Sequence, residues 1–234
     1  MLVAAAVCPC PPLLVPDIAM GAAPELDAAR TACADALGLL AASRPDRLHV
    51  VGPAPEGARG VFPAGSEGSF GGFGVDLSVR LGDGPGNRPL PASLAVAAWL
   101  LERAGWADAP VEGLGVAEHA EPARCTAAGR ERAAAAQRVA LLVMGDGSAC
   151  RTLKAPGYLD DRAAGFDAEA ARALGAADVA GLLALDAHLA RELKAAGRAP
   201  WQVLAGAAEG AGLDGRLLYE DAPYGVGYFV AAWS

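Results

Sequence analysis

The chain has 234 residues, 53% of them hydrophobic and only 6% aromatic, and carries a formal net charge of −8. That length buries a sizeable core and fits one large domain or two small ones. An acidic balance without a basic cluster argues against nucleic acid or an anionic membrane surface as a partner. Five cysteines (Cys8, Cys10, Cys33, Cys125, Cys150) are an odd number and too sparse for a disulfide framework. No stretch approaches the roughly 18 uncharged apolar residues of a membrane span. Met1 to Val7 lacks the charged start and the length of a secretory signal. The expectation is a cytoplasmic protein with reduced thiols and no membrane partner.

In chain order, Leu2 to Val7 reads as a buried strand that runs into the Pro-rich elbow Cys8-Pro9-Cys10-Pro11-Pro12. Apolar residues at helical spacing place a helix over Ala23–Ala42, with Pro24 in its first turn. Arg47–Gly52 is a short strand closed by Pro53-Ala54-Pro55. The Gly- and Pro-rich segment Glu56–Pro91 is long for a connection, and it reads as partly ordered cover over the sheet edge. Within it, Phe73–Val75 and Leu77–Leu81 are weak strand candidates. A helix follows over Leu94–Gly105, then a strand over Val111–Val116, a loop over Glu118–Gly129 and a buried strand over Val139–Met144. Asp167–Leu174 and Asp178–Ala196 read as helices opened by capping aspartates. Gln202–Ala207 and Gly227–Ala232 read as strands. Alternating strands and helices predict one α/β domain over residues 1–234, a mostly parallel or mixed central sheet with helices on both faces.

Chemistry-bearing candidates are few. In an open α/β sheet, ligands bind at the carboxyl ends of strands, where Cys10 and the turn Gly145-Asp146-Gly147-Ser148-Ala149-Cys150 both fall. The glycines let backbone N–H groups approach a ligand and leave Asp146 and Ser148 at the strand tip; a plain tight turn is the competing reading. Lys154–Arg162 is a polar rim for the same cleft. Cys8 reads as a small core hydrophobe. His49 reads as a hydrogen-bonded structural histidine, His119 as surface, and His188 lacks a second metal ligand on its helix, so no histidine-based metal site is assembled. Leu217–Phe229 gathers Tyr219, Tyr224 and Tyr228 beside Glu220 and Asp221, suited either to ligand binding and proton transfer or to aromatic anchoring of a last strand.

Taken in order, Cys8–Val15, Val51-Gly52-Pro53-Ala54, Gly145–Arg151 and Trp201–Ala207 resemble the class III extradiol ring-cleavage dioxygenases (LigB-type), including their Memo-like branch. The resemblance is nearly full-length. It implies an α/β fold whose strand-end cleft holds Fe(II) through two histidines and a carboxylate, with a further histidine as acid–base. Carried over residue by residue, the first metal histidine falls on Cys10 and the second on Ala54. The acid–base histidine falls on Ala149 and the late ligand on Gly197, with Glu192 or Glu220 as a spatial substitute.

Conventional ring cleavage is therefore not expected. The favoured reading is a small-molecule binder or altered enzyme, for a small and aromatic ligand, using the same cleft with Cys10, Asp146, Ser148, Cys150 and Glu220 as its polar lining. Cys10 and Cys150 would face each other across it. No cofactor is expected unless a reworked site takes Fe(II) or zinc through Cys10 and Glu220. An inactive interaction or assembly module, with room for a homo-oligomer, is the second reading, and a ring-cleavage dioxygenase with unusual ligands the third.

Overall fold

Strands whose residues are apolar on both faces belong in the interior of a sheet, and three of them organise this fold. The computed structural model describes residues 1–234. Strand β1 (Leu2–Cys8) leads through the short α1 (Pro16–Ala19) to α2 (Asp27–Ala42) and β2 (Arg47–Pro53). Next come β3 (Gly60–Phe62), β4 (Glu67–Ser69), β5 (Ser78–Arg80), α3 (Ala92–Arg103), β6 (Val111–Val116), α4 (Pro122–Ala133) and β7 (Val139–Met144). The last part holds α5 (Ala163–Gly175), α6 (Val179–Ala184), α7 (Ala187–Glu192), α8 (Arg198–Ala208), β8 (Gly215–Asp221) and β9 (Tyr228–Trp233).

Seven strands form one sheet in the order β3-β6-β2-β7-β1-β9-β8. The middle four, β6, β2, β7 and β1, run parallel. At one edge β3 pairs antiparallel with β6, and at the other β9 and β8 are antiparallel additions beside β1. The sheet is thus mixed, with helices on both faces. α2 and α3 pack with Ala4, Ala6, Leu48, Val50, Ala140 and Leu142 on one face. α4, α5, α6 and α8 pack with Ala5, Val7, Val51, Leu141 and Val143 on the other. No helix is long and apolar enough to cross a membrane.

Several elements differ from the sequence reading, each for a physical reason. Gln202–Ala207 is not a strand but lies inside α8, all of whose residues are buried. A mostly apolar run as short as Gln202–Ala207 does not by periodicity separate a buried helix from a strand. It packs so closely on α4 that a Cβ on Gly206 would stand 2.3 Å from the Thr126 carbonyl oxygen, and one on Gly129 2.0 Å from that of Val203. α4 itself occupies the stretch read as a loop after Glu118. Asp178–Ala196 is two short helices rather than one, because Asp186 restarts the chain by accepting the Leu189 N–H at 2.6 Å. Phe73–Val75 is not a strand; a single 3-10 turn covers Gly71–Phe73. Ser78–Arg80, inside the other candidate, does pair with Glu67–Ser69. Helix α2 starts at Asp27, four residues later than read, behind a 3-10 stretch that contains Pro24.

Candidate functional site at the strand ends

The register Cys8↔Met144 and Val51↔Val143 brings the carboxyl ends of β1, β2 and β7 level. The chain leaving β7 folds back over β1: Gly145 N–H donates to the Cys8 carbonyl at 3.0 Å. Asp146 then accepts the Cys10 backbone N–H at 2.8 Å, and the Cys10 thiol lies 3.8 Å from its other carboxylate oxygen. Cys10 and Asp146 therefore form one unit.

Burial dominates the electrostatics of this unit. It lifts the Asp146 carboxyl to about 6, against the lowering effect of the two Cys10 donors. Burial first, then the Asp146 charge, push the Cys10 thiol well above its ordinary value, which holds it protonated. The third member is Tyr228, the buried first residue of β9. Its hydroxyl is raised by burial, by Asp146 and by Cys10. Because β9 runs antiparallel to β1, its start rather than its end reaches the strand-end layer. Tyr219 and Tyr224 lie close enough to add to the same shift. Tyr219 is itself pushed up to about 12 by burial and by Asp221. Tyr224 is anchored by a 2.9 Å bond from its hydroxyl to Glu25.

The remaining sequence candidates do not join this unit. Ser148 is fully buried and committed elsewhere: its N–H and hydroxyl donate to Asp167 at 2.7 and 2.8 Å. Arg151 adds a third bond to the same carboxylate at 2.9 Å. Asp167 is thus no helix cap but the internal clamp of the whole turn, a role invisible in sequence because its partners lie on a separate loop. Cys150 is buried against the Leu193 carbonyl at 3.5 Å and belongs to the core on the α8 side, whereas Cys10 belongs to the core on the α2 side. The two thiols do not face each other. Glu220 is exposed on the edge strand β8, opposite Phe229, whose side chain packs in the core on the face away from Cys10. It is not placed to share a metal with Cys10. Lys154 lies by the exposed Leu153, and Arg162 forms a surface network with Asp160 and Glu192.

Of the histidines, His119 and His188 are exposed. His49 is buried, but neither ring nitrogen has a hydrogen-bond partner, which corrects the expectation of a bonded structural histidine. Its Nδ1 lies 3.5 Å from Glu112, whose carboxylate is taken by Arg132 at 2.7 Å.

The residues present do not fit an Fe(II) or zinc centre of the implied type. Positions 54 and 149 hold alanines without donor atoms, and no three His, Cys, Asp or Glu side chains converge anywhere in the chain. Gly197 shows the loss most directly. Its N–H donates to the Asp146 carbonyl at 2.8 Å, so it does border the site. A Cβ there would stand 2.3 Å from the Trp201 ring, so Trp201 fills the space a ligand side chain would need. Main surface cavities of about 260 to 530 Å3 lie around rather than on the unit; none is lined by Cys10, Asp146 or Tyr228.

Fold and site together describe a mixed α/β protein with a carboxyl–thiol pair at its strand ends and a buried phenol in the same strand-end layer. No family model matches the chain, and no curated protein matches it. Among solved structures it is similar to an uncharacterized protein from Escherichia coli K12, with 14% identity over 99% of each chain and a TM-score of 0.56. At that identity the likeness is one of fold alone.

Proposed function

We propose that the chain is a divergent relative of the LigB-type class III extradiol dioxygenases that has given up metal-dependent ring cleavage and keeps its strand-end site for a small hydroxylated, aromatic ligand. The observation that carries this reading is the exchange at one place. Cys10, Ala54, Ala149 and Gly197 stand where the metal and acid–base groups are expected, yet Asp146 remains, held by Cys10 beside Tyr228. A carboxyl that titrates near 6 next to a phenol accepts a ligand hydroxyl in its charged form and donates to it in its neutral form. Proton exchange with a bound phenol is the chemistry such a site supports.

The test is a titration of the full chain with catechol in chelator-treated buffer, followed by NMR shifts. Saturable shifts at residues 8–10, 145–148 and 224–228, weakened at least tenfold in Asp146→Asn, are expected, with no oxygen uptake. Ring-cleavage absorbance and oxygen uptake after Fe(II) loading would overturn the reading, as would the absence of saturable binding. One observation favours an interaction module as the second reading: Leu153, Tyr158 and Leu159 stand exposed on the loop that follows the turn. Chemical crosslinking that traps a complex through this loop, without catechol binding, would select it.

A further inference from the structure

On the face of the sheet away from α8, a groove of about 530 Å3 is lined by helices α2 and α3. Its floor is made of the buried Leu37, Trp99 and Leu100. The small side chains Ala34 and Ala104 keep its walls low. Two guanidinium groups flank it, and they are in different states. Arg30 is fully engaged, donating to the Leu14 and Ala23 carbonyls and to Asp27. Arg103 has no carboxylate partner in the structure; its guanidinium rests over the Trp99 ring, 5.1 Å from the centroid. Asp27, the single carboxylate of the groove, is paired with Arg30 at 2.6 Å. A chain of net charge −8 thus presents here a cationic end on an apolar trough.

We propose that this groove binds a small amphiphilic monocarboxylate. The apolar chain would lie on Leu37 and Leu100 and the carboxylate would take the free edge of Arg103. The Arg103 guanidinium lies over Trp99 without a carboxylate partner, and its N–H fork matches a carboxylate in a bidentate pair. The volume of this open groove falls within the range of small-molecule sites. Arg30 and Asp27, already paired, close the other end and admit no second charge. The proposal concerns a place separate from the strand-end unit and stands or falls without it.

The probe is sodium decanoate, titrated into the isotope-labelled full chain, with decan-1-ol and decylammonium as comparators. Saturable shifts confined to α2 and α3 are expected, with binding at least tenfold weaker for both comparators, as loss of one charge-assisted pair implies. Arg103→Gln, an exposed change outside the core, should weaken decanoate at least tenfold. Ala34→Leu, which fills the trough from an exposed helix position, should abolish binding while the spectrum elsewhere stays native. Equal affinity for decan-1-ol, undiminished binding in Arg103→Gln, or shifts that map elsewhere would overturn the proposal. So would the absence of saturation.

Discussion

Asp167→Asn isolates the clamp that shapes the Gly145–Arg151 turn. The carboxylate is fully buried and accepts from Ser148 N, Ser148 Oγ and Arg151 Nη1 at 2.7, 2.8 and 2.9 Å. Asparagine has nearly the same volume, so packing is held constant. Its oxygen still accepts the Ser148 N–H, and the Ser148 hydroxyl can rotate to accept from its amide. Arg151 has no such option, because a guanidinium offers donors only. Half-buried, it swings out to solvent, and its charge-assisted bond, about 1.5–3 kcal/mol, is lost. The two surviving bonds become neutral and roughly half as strong, which costs about 1 kcal/mol more. The expected loss is roughly 3 kcal/mol, or a Tm lower by about 6–12 °C for a chain of this size. Urea unfolding followed by tryptophan fluorescence measures it, with an unchanged m-value as the sign that only stability moved. Arg151→Met in a double-mutant cycle should show coupling of about 1.5–3 kcal/mol. A loss below about 1 kcal/mol in Asp167→Asn, or additivity in the cycle, would refute the clamp.

Two buried groups act on acid stability with opposite signs. Burial, then Arg132 and Arg47, lower His49 from 6.5 to about 4, so its stabilising effect is whole above pH 6.5 and is lost as pH falls toward 4. Asp146 is raised from 3.8 to about 6, so its effect is whole below 3.8 and is lost as pH rises through 6. Each spans about 3 kcal/mol at most, and between pH 4 and 6 they largely cancel. In urea midpoints from pH 4 to 7, Asp146→Asn should steepen the acid loss and His49→Leu should flatten it; both tracking the parent protein would discount these shifts. Gly197→Ala should cost about 1–3 kcal/mol by overpacking Trp201, which already sits edge-on against Phe229 at 5.9 Å. Unchanged stability and near-ultraviolet dichroism would show that Trp201 yields freely.

The parts of the fold legible in the sequence were those with local signals. β1, β2 and β7 are short apolar runs ending at Pro or Gly, and α3 ends where Gly105 takes a positive φ of 63°. α8 was illegible because the short apolar run from Gln202 to Ala207 reads equally as a buried strand or a buried helix. α4 was illegible because an Arg- and Ala-rich helix has only a thin apolar stripe, Cys125, Thr126 and Gly129. Within the site, proximity of Cys10 to Asp146 follows from both lying just beyond strand ends. The commitment of Ser148 to Asp167, and the placing of Glu220 and Cys150 off the unit, depend on contacts between segments distant in the chain, which no spacing rule reports.

The order of the strands in the sheet has a further consequence for how the protein is made. β1 precedes both of its sheet neighbours, β7 and β9, and several other elements separate it from each of them. A growing chain therefore holds an apolar strand with both edges unpaired until β7 is made, the condition under which chaperones are recruited and aggregation begins. The same order delays the site: Cys10 and Asp146 can meet once β7 has docked, but Tyr228 arrives only with the last strand.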